Sequence, residues 1–179
     1  MTVLIFVALE DELPAHLVAP HRVVYTSVGK VNAALAAVEA LAAHAPKLAI
    51  NYGSAGAVTA GLAGLIECGR AVQRDMDLRP LGTPLGETYG DAPPHDEVWG
   101  EGATVGTGDS FAAETPELAS DLVDMEAFAL ARACRRAGVA FKCLKFVSDN
   151  ADGGSAEDWE ANKARGAALF AKWMSDQSF

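Results

Sequence analysis

Residues 2–9 read TVLIFVAL, and residues 10–12 read EDE. Seven of the first eight side chains are apolar, and the run is too short to cross a membrane. A continuous apolar run, without alternation of apolar and polar positions, fits a strand covered on both faces. The rest of the chain repeats this pattern. HRVVYTSVG (21–29), KLAINYG (47–53), GLIECGRAV (64–72), a short segment at 102–107 and VAFKCLKFVS (139–148) read as further strands. Helical stretches separate them. Val31, Leu35, Val38 and Leu41 fall at helical spacing with alanines between, which predicts about three turns. Thr115–Pro116 reads as a helix start, and another helix is predicted from about Met125 to Arg136. Ser155, with Asp158 three residues on, has the spacing of a capping box. It opens a last helix with Trp159, Gly166, Phe170 and Trp173 on one face. This alternation predicts an α/β fold: a mainly parallel, mixed central sheet flanked by helices, as a single domain over residues 1–179. Residues 80–102, dense in Gly and Pro, read as a long loop within it.

Bulk properties narrow the function. The formal net charge of -10 argues against binding to nucleic-acid polymers and anionic membranes, which need basic patches. A small-molecule partner is compatible with it. Cys68, Cys134 and Cys143 are odd in number, lack CxxC spacing and lie in or beside apolar segments, so reduced buried thiols in a cytoplasmic protein are expected. No signal peptide is read at the N-terminus. His16, His21, His44 and His95 show no metal-ligand spacing, and no metal is expected.

Acids end three of the apolar runs. Glu10–Glu12 follow the first strand, Asp124 and Glu126 interrupt LVDMEAFAL (122–130), and Asp149 follows CLKFV. In parallel α/β sheets, ligands bind beyond the carboxyl ends of strands, so the three groups are expected to converge on one pocket. Each has a plainer reading. Asp149 fits a cap or turn, Glu10–Glu12 fit a solvated helix start, and Met125 fits a core position. NYGSAGAV (51–58) fits either a close ligand approach to the backbone or a tight turn. In GTGDSF (106–111), Phe111 fits a ligand-stacking residue or, more simply, a core residue beside a turn, with Asp109 or nearby backbone groups reading a polar edge.

Together, VALEDEL, SVGKVNAALA, NYGSAGAV, GTGDSF, VDMEAFALA and FVSDNAD stand in the order that resembles the nucleoside phosphorylase/nucleosidase superfamily, and within it the 5′-methylthioadenosine/S-adenosylhomocysteine nucleosidases. The resemblance runs from about residue 2 to 152, and more loosely to 174. It implies a nucleoside phosphorylase-like fold, a small nucleoside substrate, a homodimer and no cofactor. It makes Asp149 the general acid at the purine and Glu12 the group that positions or deprotonates water. Glu126 falls on the ribose hydroxyls and Met125 against the sugar. Ser54, Ala55 and Gly56 line the pocket, Phe111 stacks on the base, and backbone near Ala112 reads the purine edge. Ser148 belongs to the substrate-binding set, and Trp159 is a candidate to close the pocket. Lys145 stands where relatives often have Arg, and segments 13–25 and 73–105 depart from the pattern. Phosphorolysis, hydrolysis of another purine nucleoside, and a non-catalytic nucleoside-binding role are the alternatives.

Overall fold

A computed structural model describes residues 3–112, 114–149 and 155–178, with only the backbone of Ser148, Asp149 and residues 155–161. The elements run β1 (Leu4–Val7), β2 (Arg22–Tyr25), α1 (Lys30–His44), β3 (Leu48–Ala57), β4 (Gly64–Gln73), β5 (Glu97–Val98), β6 (Ala103–Thr107), β7 (Leu122–Asp124), α2 (Ala127–Ala137), β8 (Ala140–Asp149) and α3 (Ser155–Ser175). The sheet is mixed and mainly parallel, as expected. β1 pairs in parallel with β2 and β3, β3 with β8, and β6 with both β4 and β7. Antiparallel pairs join β3 to β7 and β4 to both β5 and β8. The path β3–β8–β4–β6–β7 therefore returns to β3, and the sheet closes into a barrel-like ring.

The first strand explains the two-sided core. Leu4 and Phe6 enter one apolar cluster with Ala33, Ala37, Phe128 and Leu130 of α1 and α2. Val3, Ile5 and Val7 point the other way, into a cluster with Ile50, Leu144, Phe170 and Met174, the last two on α3. Alternate side chains of a strand face opposite sides, so covering both faces requires the unbroken apolar run seen in the sequence. Each such side chain contributes about 1.5–3 kcal/mol when fully buried.

Three local expectations are corrected. Thr115–Pro116 starts no helix: residues 114–121 are irregular. Their polar groups are held across the structure instead, with Asp121 Oδ2 accepting from Thr104 N and Glu117 paired to Arg79. GSAGA is no turn after a strand. It is the second half of β3, supported by β8 and then by β7 after a bulge at Ala55/Gly56. The loop at 80–102 contains the two-residue β5 and overlaps a 3₁₀ turn at Arg79–Leu81. On α1 the packing face is small: Ala33, Ala37, Ala40 and Leu41 are buried, whereas Val31, Leu35 and Val38 are exposed.

α3 lies close to the barrel at Gly166. A Cβ there would stand 2.6 Å from Tyr52 Oη and 2.8 Å from the Phe146 ring. Alanine raises helix propensity by up to about 1 kcal/mol, but overpacking a filled core costs about 1–3 kcal/mol. Gly166→Ala is therefore expected to lower stability by up to about 2 kcal/mol. Urea unfolding of the two proteins measures it, and an equal or higher midpoint for the variant contradicts this packing.

Candidate active site

A cavity of about 270 Å³ opens beyond the ends of β1, β4 and β6. Ala8, Leu9 and Glu12 line it from the turn after β1, and Tyr52–Gly56 from the second half of β3. Arg74 comes from the end of β4, Ser110–Ala112 from the loop after β6, and Val123–Glu126 from the junction of β7 and α2. The small residues of GSAGA leave the backbone of β3 as one wall.

Glu12 is buried and held at three points. Its Oε1 accepts from Ser54 Oγ (2.6 Å) and Ser54 N (3.0 Å), and its Oε2 from Leu9 N (3.3 Å). Glu10 and Asp11 are exposed, and Asp11 pairs with Lys163 of α3 at 2.5 Å. The acidic triplet thus divides: one member faces the site and one anchors the turn.

The VDME segment is organised by Asp124. Its Oδ2 accepts from the backbone N–H groups of Glu126 (3.2 Å) and Ala127 (2.8 Å), which are otherwise unbonded donors at the start of α2. Its Oδ1 accepts from Thr107 Oγ1 (2.6 Å), and Thr107 Oγ1 accepts from Phe128 N (3.0 Å). Lys145 Nζ lies 2.8 Å from Asp124 Oδ2, with both side chains 1% exposed. Burial alone would drive Lys145 toward neutrality, but the negative charges around it, Asp124 foremost, raise its pKa above that of an ordinary lysine. A Cβ on Gly53 would stand 3.5 Å from Lys145 Nζ and 3.9 Å from Glu12 Oε1, so ammonium and carboxylate flank that glycine.

Glu126 reaches the cavity from the first position before α2, and Gly29 N donates to its Oε1 at 2.9 Å. Burial, then the charge of Asp124, pushes its pKa up to about 7, against the opposing pull of Lys145 and the Gly29 amide. A carboxyl poised near neutrality can serve as hydrogen-bond donor or acceptor.

Eight of the ten residues expected at the site line this cavity: Glu12, Ser54, Ala55, Gly56, Phe111, Ala112, Met125 and Glu126. Phe111 is no core residue; it is 62% exposed beside the opening. Asp109 does not line the cavity. Its Oδ1 accepts from Lys30 N at 2.7 Å, which turns it toward α1. Ser148 and Asp149 end β8, where Asp149 stands in register with the cavity-lining Gly56. The side chains of Ser148, Asp149 and Trp159 lie outside the described residues. The sequence reading left Arg74 out of the site, and it gave no role there to Asp124, which it expected near the pocket, or to Lys145. A lone cation within the apolar run CLKFV is the same signal as an acid within LVDMEAF, and it marked Lys145.

Known proteins resemble this chain in sequence and in fold. Residues 98–175 match the model of the phosphorylase superfamily. A 5′-methylthioadenosine/S-adenosylhomocysteine nucleosidase of Exiguobacterium sp. is 27% identical over 154 residues, covering 71% of this chain and 66% of that protein. The chain therefore spans just under two thirds of that relative's length. A solved 5′-methylthioadenosine/S-adenosylhomocysteine nucleosidase of Helicobacter pylori superposes with a TM-score of 0.87 at 21% identity, covering 98% of this chain and 96% of that one. A futalosine hydrolase mutant of Helicobacter pylori superposes with a TM-score of 0.86 at 20% identity, covering 98% and 97%. The likeness to the two solved structures is one of fold, and in sequence the chain is similar to the phosphorylase superfamily over residues 98–175 and to a 5′-methylthioadenosine/S-adenosylhomocysteine nucleosidase over 154 residues.

The raised pKa of Glu126 fixes the sign of a pH effect. Between its ordinary value and about 7, the folded protein binds more protons at this site than the unfolded chain does. Its contribution to stability therefore falls as pH rises through that window and is constant on either side. Glu126→Gln removes the titration. The stability of the variant relative to wild type is expected to increase from pH 4.5 to 7.5. Urea midpoints at a series of pH values test this, and a difference independent of pH refutes it.

Proposed function

We propose that this protein hydrolyses the N-ribosyl bond of adenine nucleosides such as 5′-methylthioadenosine and S-adenosylhomocysteine, releasing adenine. The observation that carries the reading is that Glu12 and Glu126 open on one cavity with the GSAG backbone and Phe111. Cleavage of this bond passes through a sugar cation of oxocarbenium character. The C1′–N9 electron pair leaves with the purine, which takes a proton at N7 from Asp149. Water adds to C1′ and gives its proton to Glu12, held by Ser54 and Leu9. Glu126 accepts hydrogen bonds from the ribose hydroxyls, with Met125 against the sugar. Phe111 covers the base, and the backbone at Ala112 reads its edge, with Ser148 completing the substrate-binding set.

Two features favour water over phosphate as the nucleophile. The turn after β1 brings Glu12 to the cavity, and a carboxylate repels phosphate. Arg74, the one cationic side chain among the described cavity-lining residues, has both terminal nitrogens engaged with Gly108 and Ser110. In incubations with 5′-methylthioadenosine, S-adenosylhomocysteine and a 6-oxopurine nucleoside, with and without phosphate, the first two are expected to release adenine without phosphate. Obligatory formation of a ribose-1-phosphate defeats the hydrolase reading. Asp149→Asn is expected to lower kcat by about 10²-fold or more, with a smaller change in affinity for a non-cleavable analogue. Near-normal turnover of the folded variant removes Asp149 as the acid.

The same reading includes a homodimer. Val31, Leu35 and Val38, one turn or so apart along α1, are 68%, 60% and 61% exposed. Bulky apolar groups outside and alanines inside reverse the usual pattern of a surface helix, and a second copy covers that face. Sedimentation is expected to give a dimer for the wild type and a monomer for Leu35→Glu. A fully active wild-type monomer at working concentration rejects the assembly. Free, buried Cys68, Cys134 and Cys143 fit a reducing cytoplasm, and the substrate class fits methionine salvage.

A further inference from the structure

Arg74 and Asp75 follow β4 directly, and neither belongs to the carboxylate chemistry proposed above. The Arg74 side chain lies flat against Gly108: a Cβ there would stand 2.8 Å from Cζ and 3.1 Å from Cγ. Arg74 Nη2 donates to Gly108 O (3.3 Å) and to Ser110 O, and Nη1 to Ser110 Oγ (3.2 Å). Its backbone N–H donates to Thr107 O at 3.0 Å. The neighbouring Asp75 takes the opposite kind of group from the same loop: its Oδ2 accepts from Asp109 N at 2.8 Å. Its Oδ1 accepts from Lys30 Nζ at 2.6 Å. The cation thus collects the loop's carbonyl oxygens and the anion collects its amide.

The clamp reaches further. Lys30 N donates to Asp109 Oδ1 (2.7 Å), and the adjacent Gly29 N donates to Glu126 Oε1 (2.9 Å). A continuous set of hydrogen bonds therefore runs from Arg74 and Asp75, through the 108–111 loop, to the start of α1 and the carboxylate at the sugar end. Phe111, at the end of this loop, is 62% exposed and has little packing of its own to fix it. Its position depends on how the preceding residues are held.

We propose that Arg74 and Asp75 are positioning residues that hold the 108–111 loop as the base-side wall of the cavity and keep Phe111 placed over the leaving base. The ligand part of this inference rests on the proposed nucleosidase function; the loop part does not. Arginine meets several acceptors in a plane at once, which a lysine or a neutral side chain cannot do. Holding a contact surface in its bound geometry before the ligand arrives lowers the ordering cost of binding.

Arg74→Met keeps much of the stem that packs on Gly108 and removes the donors. Asp75→Asn keeps the shape and removes the charge. Both are compared with wild type after circular dichroism shows that they fold. Hydrogen exchange of the amides at 108–112 is expected to be at least 10-fold faster in Arg74→Met, while β1 and β3 exchange at the wild-type rate. In calorimetry, free adenine is expected to bind Arg74→Met about 10-fold more weakly. Combining Arg74→Met with Phe111→Ala should add little to the larger single effect, because both act through one contact. Unchanged loop exchange in folded Arg74→Met overturns the proposal whatever the ligand result. Fully additive losses of adenine affinity in the double variant overturn it too. Wild-type protein that binds no adenine overturns the nucleosidase reading instead, and the exchange measurement still decides the clamp.

Discussion

The buried pair of Asp124 and Lys145 is the constraint on which the site depends. Each ion gives up several kcal/mol of hydration on entering the protein, and mutual attraction alone does not reliably repay it. Here the remaining lone pairs of Asp124 are satisfied by Thr107 Oγ1 and by two backbone amides of the α2 start. Four elements therefore meet at one carboxylate: β6 through Thr107, β7 through Asp124 itself, β8 through Lys145 and α2 through its first amides. Removing either ion leaves the other buried and unpaired, a loss of about 3–5 kcal/mol in comparable pairs. The placement of Glu126 follows, since its backbone N–H is one of the donors that Asp124 holds.

The same pair sets the electrical character of the cavity. Glu12, Asp124 and Glu126 would leave three acids in a small space, and Lys145 offsets one of those charges from beneath β3. The pKa of Glu126 is raised to about 7, by its burial first and then by the charge of Asp124. Arg74 lies in the wall formed by the loop after β6, so the acidic and basic parts of the lining come from different elements. In the reaction proposed above, breaking the N-ribosyl bond makes the sugar more positive and the base more negative, and carboxylates on one side of the lining with a guanidinium on another supply a polarity that suits it.

The sheet was legible because both of its faces are covered. Runs such as TVLIFVAL and VAFKCLKFVS can satisfy two clusters only as central strands, and both became strands. β7 was harder to read, since three residues, Leu122–Asp124, carry too short a pattern and derive their strand character from β6 and β3. Thr115–Pro116 carried a local helix signal that tertiary contacts of Asp121 and Glu117 overrode. At the site, Glu12 and Glu126 stood out as acids beside or within apolar runs. Arg74 did not, because its partners are backbone carbonyls of a distant loop, and carbonyls have no sequence signature. The α1 stripe was legible as a helix but not as to direction. Spacing alone does not say whether Val31 and Leu35 or Ala33 and Ala37 face inward, and close approach to the sheet selected the alanines.

Close approach is also why β3 passes through the site in small residues. Its first half, Leu48–Tyr52, is ordinary core strand between β1 and β8. From Gly53 the strand must pass over the Lys145 ammonium, beside Glu12, and then along the cavity wall. A larger side chain at Gly53 would press on the charged pair that organises α2. One at Ala55 or Gly56 would add bulk to a wall of the cavity. Continuing the hydrogen-bonded ladder through these positions, first with β8 and then with β7, pairs their backbone groups and keeps the wall rigid. The bulge at Ala55/Gly56 lets β3 change partners and brings the end of β8, with Asp149, level with Gly56. A sequence that looked like a turn is therefore a strand with its side chains removed, and the space they leave is the cavity.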